Sequence, residues 1–466
     1  MTELREMNQG SEAAPHSIEA EQQLLGAILV GACGVDVVLN NGGTGLFYDP
    51  VHATIYKVCA GLSSKDQPVT PVTVAAAYPT DHLEPLSQLG GKGYLARLAG
   101  SSVSGSLAES YAEVLGEAKA KRDIMAVVDK AREELAAGDV PASDIASKIE
   151  AAMSVTETRS VKPVSMVSAI SDAVRESFEA YDGITEGRVA SGIPALDRLV
   201  GGFYAGDLWL LGGRPSMGKT GVMLSIALNA ARSGHPVIIA SLEMIPRALA
   251  VRALSEQMAQ NGSAVSYADL RQGKYSDASG EDMKRAALML SELPITFLPK
   301  EFANTKLLES GARTILRRYR DSQKRPLLLV DYAQLMRSDA KSRYEQITDV
   351  SLALKGLAMR FEVPVIALSQ LSRGVESREN KRPIMSDLRE SGQLEQDADG
   401  VIFCYRDSYY IEREKPDRHD IDAVADWEAA TREAHNRLEL IVAKQRQGEI
   451  GTAHVFFNPT INRIWD

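Results

Sequence analysis

Cysteine and histidine are scarce in this sequence of 466 residues, and their shortage excludes several kinds of site. The chain has three cysteines and seven histidines. Cys33, Cys59 and Cys404 are too far apart in the sequence to form a CxxC zinc or redox pair, and the histidines show no metal-ligand spacing. A disulfide scaffold and a zinc ribbon are therefore excluded.

Long apolar runs are also missing. None approaches the ~18 residues that a membrane-spanning helix needs. The first fifteen residues, MTELREMNQGSEAAP, are polar and lack the apolar core of a signal peptide. With 44% hydrophobic and 24% charged residues, the composition is typical of a soluble globular protein. We expect a cytoplasmic protein with no membrane partner.

The sequence also lacks an excess of basic residues. The chain has 52 Lys and Arg against 62 Asp and Glu, which gives a formal net charge of −10 at pH 7. Such a chain has no general attraction for nucleic acid. Any nucleic acid must be bound locally, where Lys, Arg or backbone N–H groups converge on phosphates.

The length predicts about three units, or two domains and a linker. We predict a disordered tail at 1–15 and an all-helical domain at 16–150, with helices from residue 17, at 50–62 and at 106–137. Residues 151–188 are predicted to be a linker with one amphipathic helix. Its apolar stripe packs either on its own domain or on a neighbouring subunit, and consists of Val167, Ile170, Val174, Phe178 and Tyr181.

Residues 189–466 show a different pattern, in which short apolar runs alternate with helical segments. Such runs are typical of buried strands in a parallel sheet that is covered by helices. The predicted strands of this sheet are 208–211, 236–240, 326–330, 363–368, 401–405 and 438–443, and a last strand is predicted at 452–457. The predicted fold class is an all-α N-terminal domain followed by an α/β domain.

A glycine-rich loop lies between the first of these strands and a helical segment, as the G-x-x-x-x-G-K-[ST] motif requires. It reads Gly213-Arg214-Pro215-Ser216-Met217-Gly218-Lys219-Thr220. The N–H groups of such a loop bind phosphates, its lysine reaches the β- and γ-phosphates, and its threonine hydroxyl binds Mg²⁺. A chance strand–helix turn is the alternative. The motif predicts ATP and Mg²⁺ as cofactors.

Three further polar residues follow predicted strands, and ligands of open α/β sheets bind at the carboxyl ends of strands. Asp331, after LLLV, is a candidate Walker B acid for the metal. Glu243 is a candidate base that orients water. Gln370 is placed to hydrogen-bond the γ-phosphate. Each residue also has a simpler interpretation: Asp331 could cap a helix, Glu243 could be a surface glutamate, and Gln370 could be a polar residue that ends a strand.

Six separated segments together resemble the DnaB family of bacterial and phage replicative DNA helicases. They are 15–29 (PHSIEAEQQLLGAIL), 191–220, 240–244 (ASLEM), 327–336 (LLLVDYAQLM), 367–399 and 443–452 (AKQRQGEIGT). The resemblance implies a RecA-like P-loop NTPase domain and a homohexameric ring. It also implies ATP-driven 5′→3′ translocation on single-stranded DNA, unwinding of forked DNA, and a primase and a helicase loader as partners.

The same resemblance assigns roles to individual residues. Lys219 and Thr220 would be the phosphate-loop pair, and the other nucleotide residues would be Asp331, Glu243 and Gln370. Lys444 and Arg446 would reach a neighbour's γ-phosphate, although a Lys-x-Arg after a strand is by itself solvated charge. Arg389, Glu390 and the backbone at Gly392 would hold DNA. By composition, residues 373–390 are a solvated loop with five basic and four acidic residues.

One segment departs from the family pattern. Residues 407–437 are longer than the usual connection, and we predict a helix at 422–435 whose role stays open. Other functions remain as alternatives: a RecA-like recombinase, a non-catalytic loader or scaffold that uses ATP as a switch, and a primase fusion. The last would need a zinc ribbon or an acidic metal-binding domain, which the sequence lacks.

Overall fold

The computed structural model describes residues 14–466 apart from 143, 147, 150–164, 182–186, 321, 323, 339, 341 and 418. The side chains of residues 176, 179, 180 and 389–391 also lie outside this description. Residues 1–13 of the tail predicted at 1–15, and half of the linker predicted at 151–188, therefore fall outside the described residues. The chain divides into two compact units, Met1–Ala169 and Ile170–Asp466, which we describe separately.

The first unit is helical throughout its described part. Its helices are Ile18–Leu29, Asp36–Asn40, Pro50–Ser63, Pro71–Ala77, Leu83–Gln88, Lys92–Gly100 and Gly105–Ala137, with 3₁₀ turns at Gly43–Leu46 and Thr80–His82. The three predicted helices are confirmed. The four that the sequence did not predict have nine residues or fewer, too few to show a helical period clearly.

Local signals in the sequence explain where these helices begin. The Ser17 side chain accepts a hydrogen bond from the Ala20 N–H, and the Asp49 side chain accepts one from the Val51 N–H. Thr70 and Thr73 form a reciprocal capping box. Each of these side chains satisfies a backbone donor that has no partner within its helix.

A buried polar network links three helices of this unit. The Glu21 carboxylate accepts hydrogen bonds from the Tyr48 N–H at 2.6 Å and the Asp49 N–H at 3.3 Å. His52 bridges Glu21 and Tyr94, with 2.7 Å between Nδ1 and Glu21 Oε2 and 2.6 Å between Nε2 and the Tyr94 hydroxyl. Since Glu21 and His52 are fully buried, these bonds fix how the helices pack.

The predicted amphipathic helix is confirmed and spans Met166–Tyr181. Its apolar residues lie on the surface of the single chain, and their exposed fractions range from 48% at Val174 to 87% at Tyr181. None of the helices in the described part of the chain has both the length and the apolar composition of a membrane span.

The second unit has eleven strands in the described residues. They are β1 Arg188–Val189, β2 Phe203–Tyr204, β3 Leu208–Gly213, β4 Val237–Ser241, β5 Ile295–Leu298, β6 Leu327–Asp331, β7 Val365–Gln370, β8 Gly400–Tyr405, β9 Arg437–Gln445, β10 Gly451–Asn458 and β11 Arg463–Trp465. Nine of them form one sheet in the order β11-β10-β9-β8-β3-β7-β6-β4-β5, and β1 and β2 pair separately.

The prediction of a parallel strand at 438–443 is wrong. The strands from β8 to β5 are parallel, whereas β9, β10 and β11 pair antiparallel. Only five residues, 446–450, join β9 to β10, which suffices for a hairpin but not for a parallel crossover. The largely apolar run LELIVA is typical of a parallel strand and therefore gave the wrong strand direction. In the structure burial alternates along β9, as in a sheet that is covered on one face.

Helices and 3₁₀ turns cover the sheet. The helices are Pro194–Val200, Lys219–Arg232, Pro246–Gln260, Tyr267–Gln272, Asp277–Ser291, Thr305–Leu316, Arg343–Phe361, Gly392–Asp397, Ser408–Ile411 and Ile421–Ala434, and the 3₁₀ turns are Lys300–Phe302, Arg317–Tyr319, Ala333–Leu335, Arg373–Ser377 and Met385–Ser391. The helix predicted at 422–435 is confirmed. The parallel strands end together at one edge, because Gly213 pairs with Gln370 and Ser241 with Asp331.

Two glycines of the first unit give a matched test of its packing. A Cβ at Gly26 would collide with the carbonyl oxygen of Leu98, whereas a Cβ at Gly61 would meet nothing within 4 Å. We expect Gly26→Ala to destabilise the unit by roughly 1–3 kcal/mol. Gly61→Ala should stabilise it by about 0.5–1 kcal/mol, since alanine favours a helix. Denaturant unfolding of the full chain measures both, and equal effects would contradict this packing.

Candidate nucleotide-binding site

The loop Gly213–Thr220 makes a tight turn between β3 and the helix Lys219–Arg232. Ser216 and Gly218 adopt positive φ angles of 68° and 92°. A Cβ at Gly218 would lie 2.8 Å from the Phe457 ring. Both the backbone conformation and this close approach therefore require glycine at position 218.

The Lys219 side chain lies inside this loop. Its ammonium donates hydrogen bonds to the Gly213 carbonyl at 2.5 Å and the Arg214 carbonyl at 3.2 Å. Burial lowers its pKa, while Asp331 and Glu243 are among the nearby groups that raise it. The loop thus holds a cation at the place where the sequence predicts phosphates.

Asp331 and Glu243 lie on the neighbouring strand ends. Asp331 is 1% exposed and accepts a hydrogen bond from the Thr220 hydroxyl at 3.4 Å. The Glu243 N–H donates to the Asp331 carbonyl oxygen at 3.2 Å. Burial, followed by the charge of Glu243, raises the pKa of Asp331 to about 6. The structure therefore brings four of the predicted residues together, namely Lys219, Thr220, Asp331 and Glu243.

Gln370 is exposed at the end of β7, directly beside Gly213 of the loop. Its backbone is held by Gln334, a residue that the sequence analysis missed. The Gln334 amide oxygen accepts from the Gln370 N–H at 3.4 Å, and its Nε2 donates to the Ser369 hydroxyl at 2.8 Å. Gln334 thereby holds the backbone of Gln370 at the strand end beside the loop.

Arg214 contributes to the loop differently from its predicted neighbours. Its guanidinium donates to the Leu371 carbonyl at 2.9 Å and to one oxygen of Glu376 at 2.8 and 2.9 Å. The Arg214 side chain therefore binds the segment after β7, while its carbonyl receives the Lys219 ammonium.

Arg406 and Phe457 also lie at the loop, and no sequence motif indicated them. The Arg406 guanidinium donates to the Ser216 carbonyl at 3.3 Å and lies 5.6 Å from the centre of the Phe457 ring. Burial lowers the pKa of Arg406. The two side chains form one wall of the loop.

Lys444 and Arg446 lie away from the loop of their own chain. The Lys444 ammonium donates to the Glu395 carbonyl at 2.6 Å, and Arg446 pairs with Asp399 at 2.9 Å. The intervening Gln445 pairs with Gly400, which in turn pairs with Trp209 near the start of β3. Gly213 is four residues further along β3, which corresponds to about 13 Å.

The segment predicted to bind DNA is anchored next to Gln370. The Ser372 N–H donates to the Asp387 carbonyl at 3.0 Å, and the Asp387 carboxylate accepts from Arg378 at 2.8 Å. The backbone continues through the turn Met385–Ser391, and Gly392 begins a helix. The side chains of Arg389 and Glu390 lie outside the described residues.

A central parallel sheet, a phosphate-type loop after β3 and acids at the ends of β4 and β6 define a RecA-like P-loop NTPase domain. Two family models match this chain. The DnaB-like helicase C terminal domain matches residues 188–466, and the DnaB-like helicase N terminal domain matches residues 13–117.

Similar proteins and solved structures agree with these matches. Replicative DNA helicase DnaB of Rickettsia bellii is 32% identical to this chain, and the match covers 97% of this chain and 93% of that protein. Replicative DNA helicase DnaC of Bacillus subtilis is 31% identical, and the match covers 97% of this chain and 94% of that protein. The structure described as a DnaB-like replicative helicase and its interactions with primase has a TM-score of 0.63 and 29% identity, covering 96% of this chain and 98% of that chain. A second solved structure, of an ATPase domain, has a TM-score of 0.53 and 32% identity, covering 64% of this chain and 98% of that chain.

This chain therefore belongs to the DnaB-like helicase family, as the six sequence segments indicated. The predicted fold class, a helical N-terminal domain and a RecA-like C-terminal domain, is confirmed.

Asp331 gives a pH-dependent test of the site. Its pKa rises from 3.8 to about 6 on folding, so its charged form destabilises the protein at neutral pH, and this cost disappears as the pH falls through 6 towards 4. Asp331→Asn should therefore stabilise the nucleotide-free, metal-free protein by roughly 3 kcal/mol at about pH 8. The gain should shrink below about pH 6.

Denaturant unfolding at several pH values measures this gain, with Asp426→Asn as the control on an exposed acid. A gain that does not change with pH, or one that Asp426→Asn reproduces, would contradict a buried carboxylate with a raised pKa at the end of β6.

Proposed function

We propose that this chain is the subunit of a cytoplasmic, homohexameric, ATP-dependent replicative DNA helicase. It moves 5′→3′ on single-stranded DNA and unwinds the duplex at a replication fork. Membership of the DnaB-like helicases and matches over 97% of the chain to proteins named replicative DNA helicases support this function. Primase is a proposed partner because a similar structure contains interactions with primase, and a helicase loader is another.

ATP and Mg²⁺ fit the residues at the loop. The loop backbone turns tightly through positive φ angles at Ser216 and Gly218, and the half-buried Lys219 offers a cation beside the backbone carbonyls of Gly213 and Arg214. Lys219 would bind the β- and γ-phosphates, while Thr220 and Asp331 would hold the metal. Mg²⁺ would offset the negative charge of the phosphates. Glu243, on the same edge, would orient the attacking water.

The placement of Lys444 and Arg446 is the observation that carries this proposal. Both lie at the end of the sheet opposite to their own loop, about 13 Å along the strands from Gly213. An Arg on this edge serves a nucleotide only when the edge faces the loop of another subunit. We therefore infer that Lys444 and Arg446 act as the finger pair for a neighbour's γ-phosphate, in a closed ring of identical subunits.

DNA binding would use the segment that follows Gln370. Arg389, Glu390 and the backbone at Gly392 would contact DNA phosphates in a central channel, where several subunits would each present one copy. This local arrangement suits a chain with a net charge of −10. Binding of this kind is indifferent to sequence and sensitive to salt. Gln370, between the loop and this segment, would report the state of the nucleotide.

Mixed rings test the action in trans. Lys219→Ala removes the loop cation but leaves a usable finger, whereas Arg446→Ala leaves an intact loop but no finger. Each variant alone should hydrolyse ATP poorly, since an arginine finger contributes about 10³-fold or more to turnover. After subunit exchange, some interfaces join an intact loop to an intact finger, so mixtures should exceed both parents.

The ATPase rate is measured across mixing ratios, with exchange confirmed by fluorescence transfer between labelled subunits. The double variant Lys219→Ala/Arg446→Ala, mixed in the same way with the Arg446→Ala variant, is the control and should restore nothing. If exchange is complete and no mixture exceeds its parents, Arg446 does not act on a neighbour.

A further inference from the structure

Arg214 and Glu376 form a direct link between the phosphate loop and the segment that leads to the proposed DNA contacts. Two guanidinium nitrogens of Arg214 donate to the same Glu376 oxygen, at 2.8 and 2.9 Å. The third donates to the Leu371 carbonyl at 2.9 Å, one residue after Gln370. The Arg214 side chain is 11% exposed, so its charge is held by these partners rather than by water.

The segment beyond this link behaves as one connected piece. Glu376 lies in the turn Arg373–Ser377, where Val375 is fully buried. The Ser372 N–H then donates to the Asp387 carbonyl, and Asp387 also receives Arg378 and the Ile384 N–H. Asp387 belongs to the turn Met385–Ser391, which carries the residues proposed to contact DNA. Glu376 is thus joined by the backbone to Ser372 and Arg378, and both of these residues are hydrogen-bonded to Asp387.

We propose that Glu376 is a positioning residue that couples the nucleotide site to the DNA site through Arg214. The ion pair between Arg214 and Glu376 forms only when the phosphate loop and the segment 371–391 are in the relative position seen here. A nucleotide that changes the loop thereby changes the affinity of the segment for DNA, and DNA acts equally on the affinity for nucleotide. This inference rests on the proposed function, because it requires DNA to bind at Arg389–Gly392.

Glu376 separates coupling from stability better than Arg214 does. Its side chain is 46% exposed, and the segment keeps its buried anchors Val375, Asp387 and Leu388 when Glu376 is changed. Glu379 provides a matched control, because it is an exposed acid three residues further along the same segment. Glu376→Ala and Glu379→Ala therefore remove the same charge from the same surface, but only the first removes the link to Arg214.

The test measures the affinity for a fluorescent oligo-dT in the presence of ADP and of a non-hydrolysable ATP analogue. In the unmodified protein the two affinities should differ by roughly fivefold or more. Glu376→Ala should bring their ratio close to 1 and abolish most of the DNA stimulation of the ATPase. Its ATPase rate without DNA should stay within about twofold. Glu379→Ala should keep the full ratio. Adding Arg214→Gln to Glu376→Ala should change the ratio no further, since both remove one interaction.

The outcomes against the inference are distinct. An unchanged ratio in Glu376→Ala overturns it, and so does an equal loss of affinity in both nucleotide states, which indicates a structural role. A ratio near 1 in the unmodified protein also overturns it. The Arg389→Ala variant tests the underlying proposal separately. It should weaken DNA binding in both states and flatten the salt dependence, and if it does not, the proposed DNA segment is wrong.

Discussion

The common register of the parallel strands is the constraint on which the rest of this molecule depends. Gly213 pairs with Gln370, and Ser241 pairs with Asp331. Because these pairs end their strands at one edge, the loop after β3 opens beside the acids of β4 and β6. The Phe457 ring of β10 packs closely against the loop at Gly218. A single shift in this register would separate the lysine, the acids and Gln370.

The same sheet keeps other functional residues apart. β9 runs antiparallel to β8, so its last residues return to the starting edge of β3, opposite to the phosphate loop. There the Lys444 ammonium donates to the Glu395 carbonyl. The Arg446 guanidinium donates to the Asp399 carboxylate and to the Gln396 carbonyl. An isolated chain therefore holds the phosphate loop and the proposed finger pair at opposite ends of its parallel strands. In the proposed function, a ring of identical chains would bring the two together at each interface.

The sequence predicted what depends on local patterns. The phosphate loop, the acid after LLLV and the long helices follow from residues close together in the chain, and the structure has them where expected. Prediction from the sequence failed for features that depend on residues far apart in the chain. The run LELIVA gave no sign of its antiparallel partner. The contacts of Arg214 with Glu376 and of Arg406 with Ser216 join residues 162 and 190 positions apart. The roles proposed for Lys444, Arg446 and Arg389 rest on family resemblance, because the composition of their segments alone indicates solvated charge.

Unwinding of forked DNA tests the central claim most directly. Two labelled forked DNA substrates are compared in the presence of ATP and Mg²⁺. One has a single-stranded 5′ tail on which the helicase can load, and the other has only a single-stranded 3′ tail. The account predicts strand separation that requires the 5′ tail and ATP, and none with the Lys219→Ala variant. Unwinding from the 3′ tail alone would contradict the proposed direction. ATP hydrolysis stimulated by single-stranded DNA without strand separation on either fork would contradict the helicase motor itself.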